Sequence, residues 1–74
     1  MIKYDRFFAT LKRKGISQYR LMEDYGVDNA QLHRLRHNMV IKTVTIDNLC
    51  RILHCGVEDI MEYIPDNPEQ ERPE

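Results

Sequence analysis

The segment NAQLHRLRHN, residues 29–38, concentrates side chains that can donate hydrogen bonds to nucleic acid. An asparagine amide can pair bidentately with adenine, and an arginine guanidinium can pair with the two acceptor atoms of guanine. No acidic residue occurs from Asn29 through Lys42, although the chain holds 12 Asp and Glu residues. A solvated surface in such a chain would usually include a carboxylate, so the segment favours a polyanionic partner.

The formal net charge of −1 hides an uneven distribution of charge along the chain. Residues 1–55 carry ten Lys and Arg against five Asp and Glu, which gives +5, whereas residues 56–74 carry one Arg against seven Asp and Glu, which gives −6. A basic body with an acidic end favours a polyanion partner for the body. Ordinary scatter of charges would explain this feature equally well.

Two clusters of potential metal ligands occur, and neither has the pattern of a complete site. His33 and His37 are four residues apart on a predicted helix, a spacing that can bind zinc, but no HExxH glutamate lies between them and no third ligand is evident. Cys50 and Cys55 flank His54, but five residues along a helix should turn the two thiols in different directions. We expect no metal, no cofactor and two reduced thiols. No catalytic set of residues appears, so we do not expect an enzyme.

The length of 74 residues allows one domain. The chain has no apolar run of about 18 residues, and its N-terminus, MIKYDRFF, is charged from the third residue and lacks the apolar region of a signal peptide. We therefore expect a cytoplasmic protein without a membrane partner.

Hydrophobic periodicity predicts an all-α fold of five short helices and no strand. The glycines and the capping residues set their limits. The predicted segments are 4–14 ended by Gly15, 18–25 capped by Ser17, about 29–37 capped by Asp28, a fourth capped by Thr45 and ended by Gly56, and about 57–63 before Pro65. This assigns a folded domain to residues 1–64 and a disordered acidic tail to residues 65–74, where three prolines accompany almost no apolar residue.

Residues 18–37 have the spacing of two helices joined by a tight turn. Two helices that cross steeply need a chain reversal, and a glycine in the left-handed conformation supplies it without a Cβ clash. Gly26 is placed for this role, Leu21 and Leu32 should meet across the crossing, and Val27 should fill the turn. The motif positions, counted from Gln18 as the first, are the fourth, eighth, tenth, fifteenth and eighteenth, held by Leu21, Tyr25, Val27, Leu32 and Leu35, with Gly26 at the ninth.

This pattern resembles the helix-turn-helix of the phage Cro and lambda-repressor family, also called the xenobiotic-response-element type. The likeness runs over about residues 4–63 and includes the phrases KGIS, T-x-D-N-L-C-R-I-L and GVEDI. Met22 stands where the family usually has alanine, so the helices must lie slightly further apart or this flexible side chain must bend aside.

The resemblance implies that the second motif helix lies in the major groove of DNA. It implies base-edge contacts by Asn29, Ala30, His33 and Arg34. It also implies that Gln18 binds a phosphate, and it places four further residues beside the flanking phosphates: Tyr19, His37, Asn38 and Lys42.

Simpler explanations exist for several of these residues. Asn29 could be an ordinary polar residue of a first helical turn, and Arg34 and Arg36 could be solvated, Arg36 pointing sideways. Gln31, three residues after Asp28, fits the return half of a capping box better than a DNA contact.

We expect a sequence-specific DNA-binding transcriptional regulator, a repressor or autoregulator that binds double-stranded operator DNA as a pair of copies and has no small-molecule ligand. The alternative is a helical protein-interaction module of the same fold, antirepressor-like or antitoxin-like. A basic, amide-rich outer face favours DNA, whereas an exposed apolar face would favour protein.

Overall fold

The computed structural model describes residues 1–65. Within them the chain forms four α-helices, one 3₁₀ turn and two short strands. The elements are β1 (Ile2–Lys3), α1 (Asp5–Lys14), α2 (Gln18–Tyr25), α3 (Asn29–Arg36), α4 (Thr43–Leu53), the 3₁₀ turn (Val57–Asp59) and β2 (Glu62–Tyr63). None of the helices in this part of the chain is long and apolar enough to cross a membrane.

Every helix turns its apolar side toward one shared core. Leu21 of α2 and Leu32 of α3 are both buried in this core, as the motif spacing predicts, and Val27 and Met22 pack half-buried against it. Met22 therefore fits beside the core without displacing the two leucines. The buried core side chains are Tyr4, Phe7, Leu11, Leu21, Leu32, Leu35, Ile46, Leu49, Leu53 and Ile60.

The prediction of a fifth helix over residues 57–63 is wrong. After the 3₁₀ turn, the chain runs as β2 antiparallel to β1, with Ile2 opposite Tyr63. The carbonyl of Met1 also accepts the N–H of Ile64 at 2.8 Å. Ile60, directly after the 3₁₀ turn, is completely buried. The backbone N–H and C=O groups of β2 then form their hydrogen bonds with β1, at the N-terminal end of the chain. The fold is therefore mostly helical with four α-helices instead of five, plus a two-stranded ribbon.

The predicted limits of the fourth helix are also wrong. Helix α4 begins at Thr43, and Thr45 lies in its first turn, where its N–H donates to the carbonyl of Lys42 at 3.0 Å. Lys42 occupies the N-cap position, and no side chain accepts a capping hydrogen bond there, so the sequence contains no capping residue that would mark this start. The helix ends because His54, with φ of 53°, adopts the left-handed conformation, and not at Gly56. This ending brings Cys50 and Cys55 together, contrary to the expectation that they diverge.

The prediction of a disordered tail over residues 65–74 lies, beyond Pro65, outside the described residues.

Candidate nucleic-acid interface

Helix α3 is fixed at its start by Asp28, whose carboxylate accepts the N–H of Ala30 at 3.1 Å. Its inner face carries Leu32 and Leu35, each 1% exposed. The opposite face is polar, and Asn29, Ala30 and His33 are exposed on it. The predicted helix and its cap are confirmed, and its outer face is open to a ligand.

The turn before α3 depends on the backbone of Gly26. Its φ is 72°, in the left-handed region, and its N–H donates to the carbonyl of Leu21. A Cβ added at this position would meet no atom within 4 Å. Glycine is therefore required here for its backbone conformation and not for space.

Arg34 and Lys42 both line a groove between α3 and the segment before α4. The groove has a volume of about 500 Å³ and is lined by Asp28, Ala30, Gln31, Arg34, Val40 and Lys42. Within residues 1–65, neither Arg34 nor Lys42 forms an ion pair. The structure thus brings the predicted base-edge residues Ala30 and Arg34 beside the predicted phosphate ligand Lys42, with both cationic groups available.

His33 and His37 form a tilted ring pair on the exposed side of α3, with ring centroids 4.4 Å apart. They are adjacent, as their spacing predicts. No group of three or more His, Cys, Asp and Glu side chains in the described part of the chain is arranged to hold a metal ion.

Gln18 lies at the first position of α2, beside the end of α3. Its Oε1 accepts a hydrogen bond from Nη1 of Arg36 at 2.6 Å. Because Oε1 is occupied, the predicted phosphate contact of Gln18 depends on its Nε2 group. Arg36 therefore positions Gln18 and ties the two helices of the motif together, a role that sequence reasoning missed because the two residues are 18 positions apart.

Ser17 and Tyr19 complete the start of α2. The hydroxyl of Ser17 accepts the N–H of Arg20 at 3.1 Å, which confirms the predicted cap. Tyr19 is 66% exposed, so its hydroxyl is free to reach a ligand from the same helix end that carries Gln18.

Asn38 performs a structural task at the end of α3. Its Oδ1 accepts the N–H of Tyr4 at 3.0 Å, and its own φ is 53°. The predicted phosphate contact of this residue therefore rests on its Nδ2 group alone. Tyr4 donates its hydroxyl to the carbonyl of Met39 at 2.9 Å, and burial raises the pKa of Tyr4, so the phenol remains protonated as a donor. An asparagine directly after a helix is a signal for a left-handed cap, and it could have indicated this role.

Comparison with known proteins agrees with this geometry. The family model described as a Cro/C1-type HTH DNA-binding domain matches residues 9–66. No curated protein matches the chain. The crystal structure described as transcriptional regulator VanUg, Form II, is similar, with a TM-score of 0.79 and 23% sequence identity over 88% of this chain and 87% of that chain. The structure has two helices joined at a left-handed glycine, and the second helix has a polar outer face. The family model covers most of the chain, and the chain therefore belongs to the Cro/C1-type family of HTH DNA-binding domains.

Proposed function

We propose that this protein is a sequence-specific transcriptional regulator, a repressor or autoregulator, that reads the major groove of its operator with α3. The observation that carries the proposal is the groove that Arg34 and Lys42 both line beside the exposed face of α3, where neither side chain forms an ion pair with any of residues 1–65. Two cations on the outer side of a helix-turn-helix suit a phosphate backbone and the base edges beneath it. Membership of a family of DNA-binding domains supports the same conclusion.

The base-edge residues have distinct roles in this proposal. Asn29, at the first position of α3, pairs with adenine, and Arg34 pairs with guanine through its two acceptor atoms. The methyl group of Ala30 packs against the methyl group of thymine. His33, one turn after Asn29, reaches the next base pair or the phosphate beside it.

The phosphate ligands lie around this central group. Gln18, held by Arg36, and Tyr19 donate from the start of α2, where the first N–H groups of the helix also favour an anion. Lys42 contacts the DNA backbone from across the groove beside Ala30 and Arg34, whereas His37 and the Nδ2 group of Asn38 contact it at the end of α3. Such contacts fix the register of the protein on DNA without specifying sequence.

The test of this function is a titration of the full chain against the DNA upstream of its own gene and against a scrambled duplex, at two salt concentrations. Arg34→Ala should lose about 1–3 kcal/mol of discrimination between the two duplexes. Lys12→Ala removes an exposed cation of α1 outside the groove and serves as the matched control, which should keep that discrimination.

A reporter gene behind the same upstream DNA determines the sign of regulation, and lower expression with the protein present supports a repressor. If the folded protein binds neither duplex above background, the proposal fails and the protein-interaction alternative takes its place.

We also infer that two copies bind together. One short helix covers only a few base pairs, which gives little specific affinity at physiological salt. Val40 is 88% exposed, Val44 60% and Met39 47%, a concentration of exposed apolar side chains next to the cationic groove. Ile2, Met39 and Val40 also line a neighbouring groove of about 380 Å³. The exposed apolar side chains of this segment, Met39, Val40 and Val44, are therefore the surface that a second copy would cover, next to the DNA-binding face.

Footprinting should then show two protected half-sites about one helical turn, or about 10 base pairs, apart. Val40→Ser should reduce the proportion of complexes with two copies in sedimentation experiments, whereas Ala9→Ser, on the exposed side of α1, should not. One protected block without dyad symmetry would contradict the paired arrangement and leave DNA binding by one copy intact.

A further inference from the structure

Cys50 and Cys55 are adjacent because of the way α4 ends. On an ideal helix, residues five apart are rotated by about 140° from each other. Here His54 takes the left-handed conformation, with φ and ψ both 53°, and the N–H of Cys55 donates to the carbonyl of Cys50 at 3.1 Å. This is a Schellman cap, in which the side chains at those two positions pack together. The side chains of Cys50 and Cys55 accordingly lie on the same side of the chain and line the same cavity.

Small molecules can reach this thiol pair. Both cysteines are free and half-buried. They line one side of a cavity of about 360 Å³ whose other walls include Ile46, Val57 and Met61. Neither thiol lines the groove that holds Arg34 and Lys42, so their chemistry is separate from the DNA-binding face.

The surroundings of the pair keep both sulfurs protonated at neutral pH. Burial raises the pKa of Cys50, and the carboxylates of Asp47, Glu58 and Asp59 raise it further, while the hydrogen bond from Cys55 acts to lower it. The pKa of Cys55 is raised by burial, by Cys50 and by Asp59, against a lowering effect of Lys14. A dithiol whose thiolate is not stabilised gives a disulfide that resists reduction.

We propose that Cys50 and Cys55 form an exchange-active dithiol, which low-molecular-weight disulfides such as oxidised glutathione convert into an intrachain disulfide. Cys50 loses its proton to water, and its thiolate attacks one sulfur of oxidised glutathione. The glutathione disulfide bond breaks, a mixed disulfide forms, and the departing glutathione takes up a proton. Cys55 then loses its proton and attacks Sγ of Cys50, which releases the second glutathione. Two protein thiols are oxidised, and one glutathione disulfide is reduced to two thiols.

Intact-mass analysis of the full chain in glutathione redox buffers, after acid quenching and alkylation, tests the exchange. The unaltered protein should give a species that lacks two hydrogen atoms and carries no glutathione. Cys50→Ser and Cys55→Ser should each stop at a single glutathione adduct, because the resolving thiol is missing. Accumulation of glutathione adducts, of linked dimers or of unreacted thiols in the unaltered protein, in place of that species, would overturn the proposal.

Two substitutions at His54 test the origin of the pairing without touching sulfur. The His54 side chain is exposed, so the main effect of a substitution is on the backbone. A valine at a left-handed position is strained, so His54→Val should lower the equilibrium constant for disulfide formation by about five- to thirtyfold. Asparagine tolerates this conformation, so His54→Asn is the matched control and should form the disulfide like the unaltered protein. Equal disulfide formation in the two variants would show that the cap does not hold the thiols together, and the proposal would fail.

The pH dependence provides a second readout. Because both pKa values are raised, the thiolate fraction is small at neutral pH, and it grows as pH rises toward the raised pKa of Cys50. Exchange with oxidised glutathione should therefore accelerate continuously from neutral to alkaline pH. A rate that is already at its maximum at neutral pH would contradict this environment for the pair.

Discussion

Asn38 connects the end of α3 to the start of α1, and its replacement tests how the fold holds the DNA-reading helix. Its Oδ1 accepts the N–H of Tyr4 at 3.0 Å in a partly buried position. Its φ of 53° lies in the left-handed region, which asparagine tolerates better than most residues. Two substitutions separate these contributions. Both remove the side-chain acceptor, but Asn38→Gly also removes the Cβ from the left-handed position, whereas Asn38→Ala keeps a Cβ there without the polar side chain that lets asparagine tolerate this conformation.

The expected losses of stability follow from these two terms. Leaving the N–H of Tyr4 without its acceptor costs about 1–2 kcal/mol in a site that water reaches in part. The left-handed conformation adds about 1 kcal/mol for alanine relative to glycine, after allowance for the greater unfolded-state entropy of glycine. The melting midpoint should fall by about 4–8 °C for each kcal/mol in a domain of this size, so Asn38→Ala should melt below Asn38→Gly, and both below the unaltered protein.

Thermal and urea denaturation, followed by circular dichroism, measure these differences. Asn48→Ala, at an exposed position of α4, is the matched control and should change stability by less than about 0.5 kcal/mol. If both Asn38 variants melt with the unaltered protein, the bond to Tyr4 contributes nothing to the fold. If Asn38→Gly melts below Asn38→Ala, the argument from backbone conformation is refuted.

Three further predictions concern the turn and the outer face of α3. Gly26→Val should destabilise the fold by about 1–3 kcal/mol because φ is 72°, and an unchanged melting midpoint would mean that the turn tolerates a branched residue. Asn29→Ala should cost about 1–3 kcal/mol on the cognate site and relax preference at one base pair, whereas Lys42→Ala should weaken all sequences alike and lower the salt slope by about 1. An equal loss on operator and scrambled duplexes for Asn29→Ala, or a loss confined to the operator for Lys42→Ala, would contradict these roles. Replacing both His33 and His37 by alanine should weaken DNA binding, because both exposed rings are proposed to lie beside phosphates or base edges; unchanged affinity would place them away from the DNA.

The elements that sequence reasoning predicted correctly are those whose signals are local. The cap of α2 is a serine directly before the helix, and the cap of α3 is an aspartate. Gly26 adopts the left-handed conformation that its place between two amphipathic segments indicates. Leu21 and Leu32 are buried because the period of the two helices fixes which side faces inward.

The features that sequence reasoning missed depend on residues far apart in the chain or on backbone conformations without a glycine. The apolar spacing of Val57, Ile60 and Ile64 suits a helix. The N-terminal strand β1, however, forms backbone hydrogen bonds with residues 62–63, and this pairing, with Ile2 opposite Tyr63, makes the segment a strand instead of a helix. Helix α4 ends in a left-handed residue that is a histidine and not a glycine, so the sequence does not indicate that the helix ends between Cys50 and Cys55. The two thiols were therefore expected to diverge, as they would on a continuous helix.

Tethers between distant segments explain how an eight-residue helix can present a defined surface to DNA. An isolated helix of this length is not stable in water, so α3 depends on its surroundings for both its existence and its direction. Leu32 and Leu35 attach its inner side to the core, and two further contacts hold its end: Arg36 binds Gln18 of α2, and Asn38 binds Tyr4 before α1. Because these contacts exist in the free protein, a helix that binds DNA as proposed would lose less conformational freedom on binding, and its outer side chains would meet the groove in a fixed register. In the proposed function, specificity would therefore rest on the polar contacts that Arg36 and Asn38 make behind and beside the outer face as well as on the residues that touch the bases.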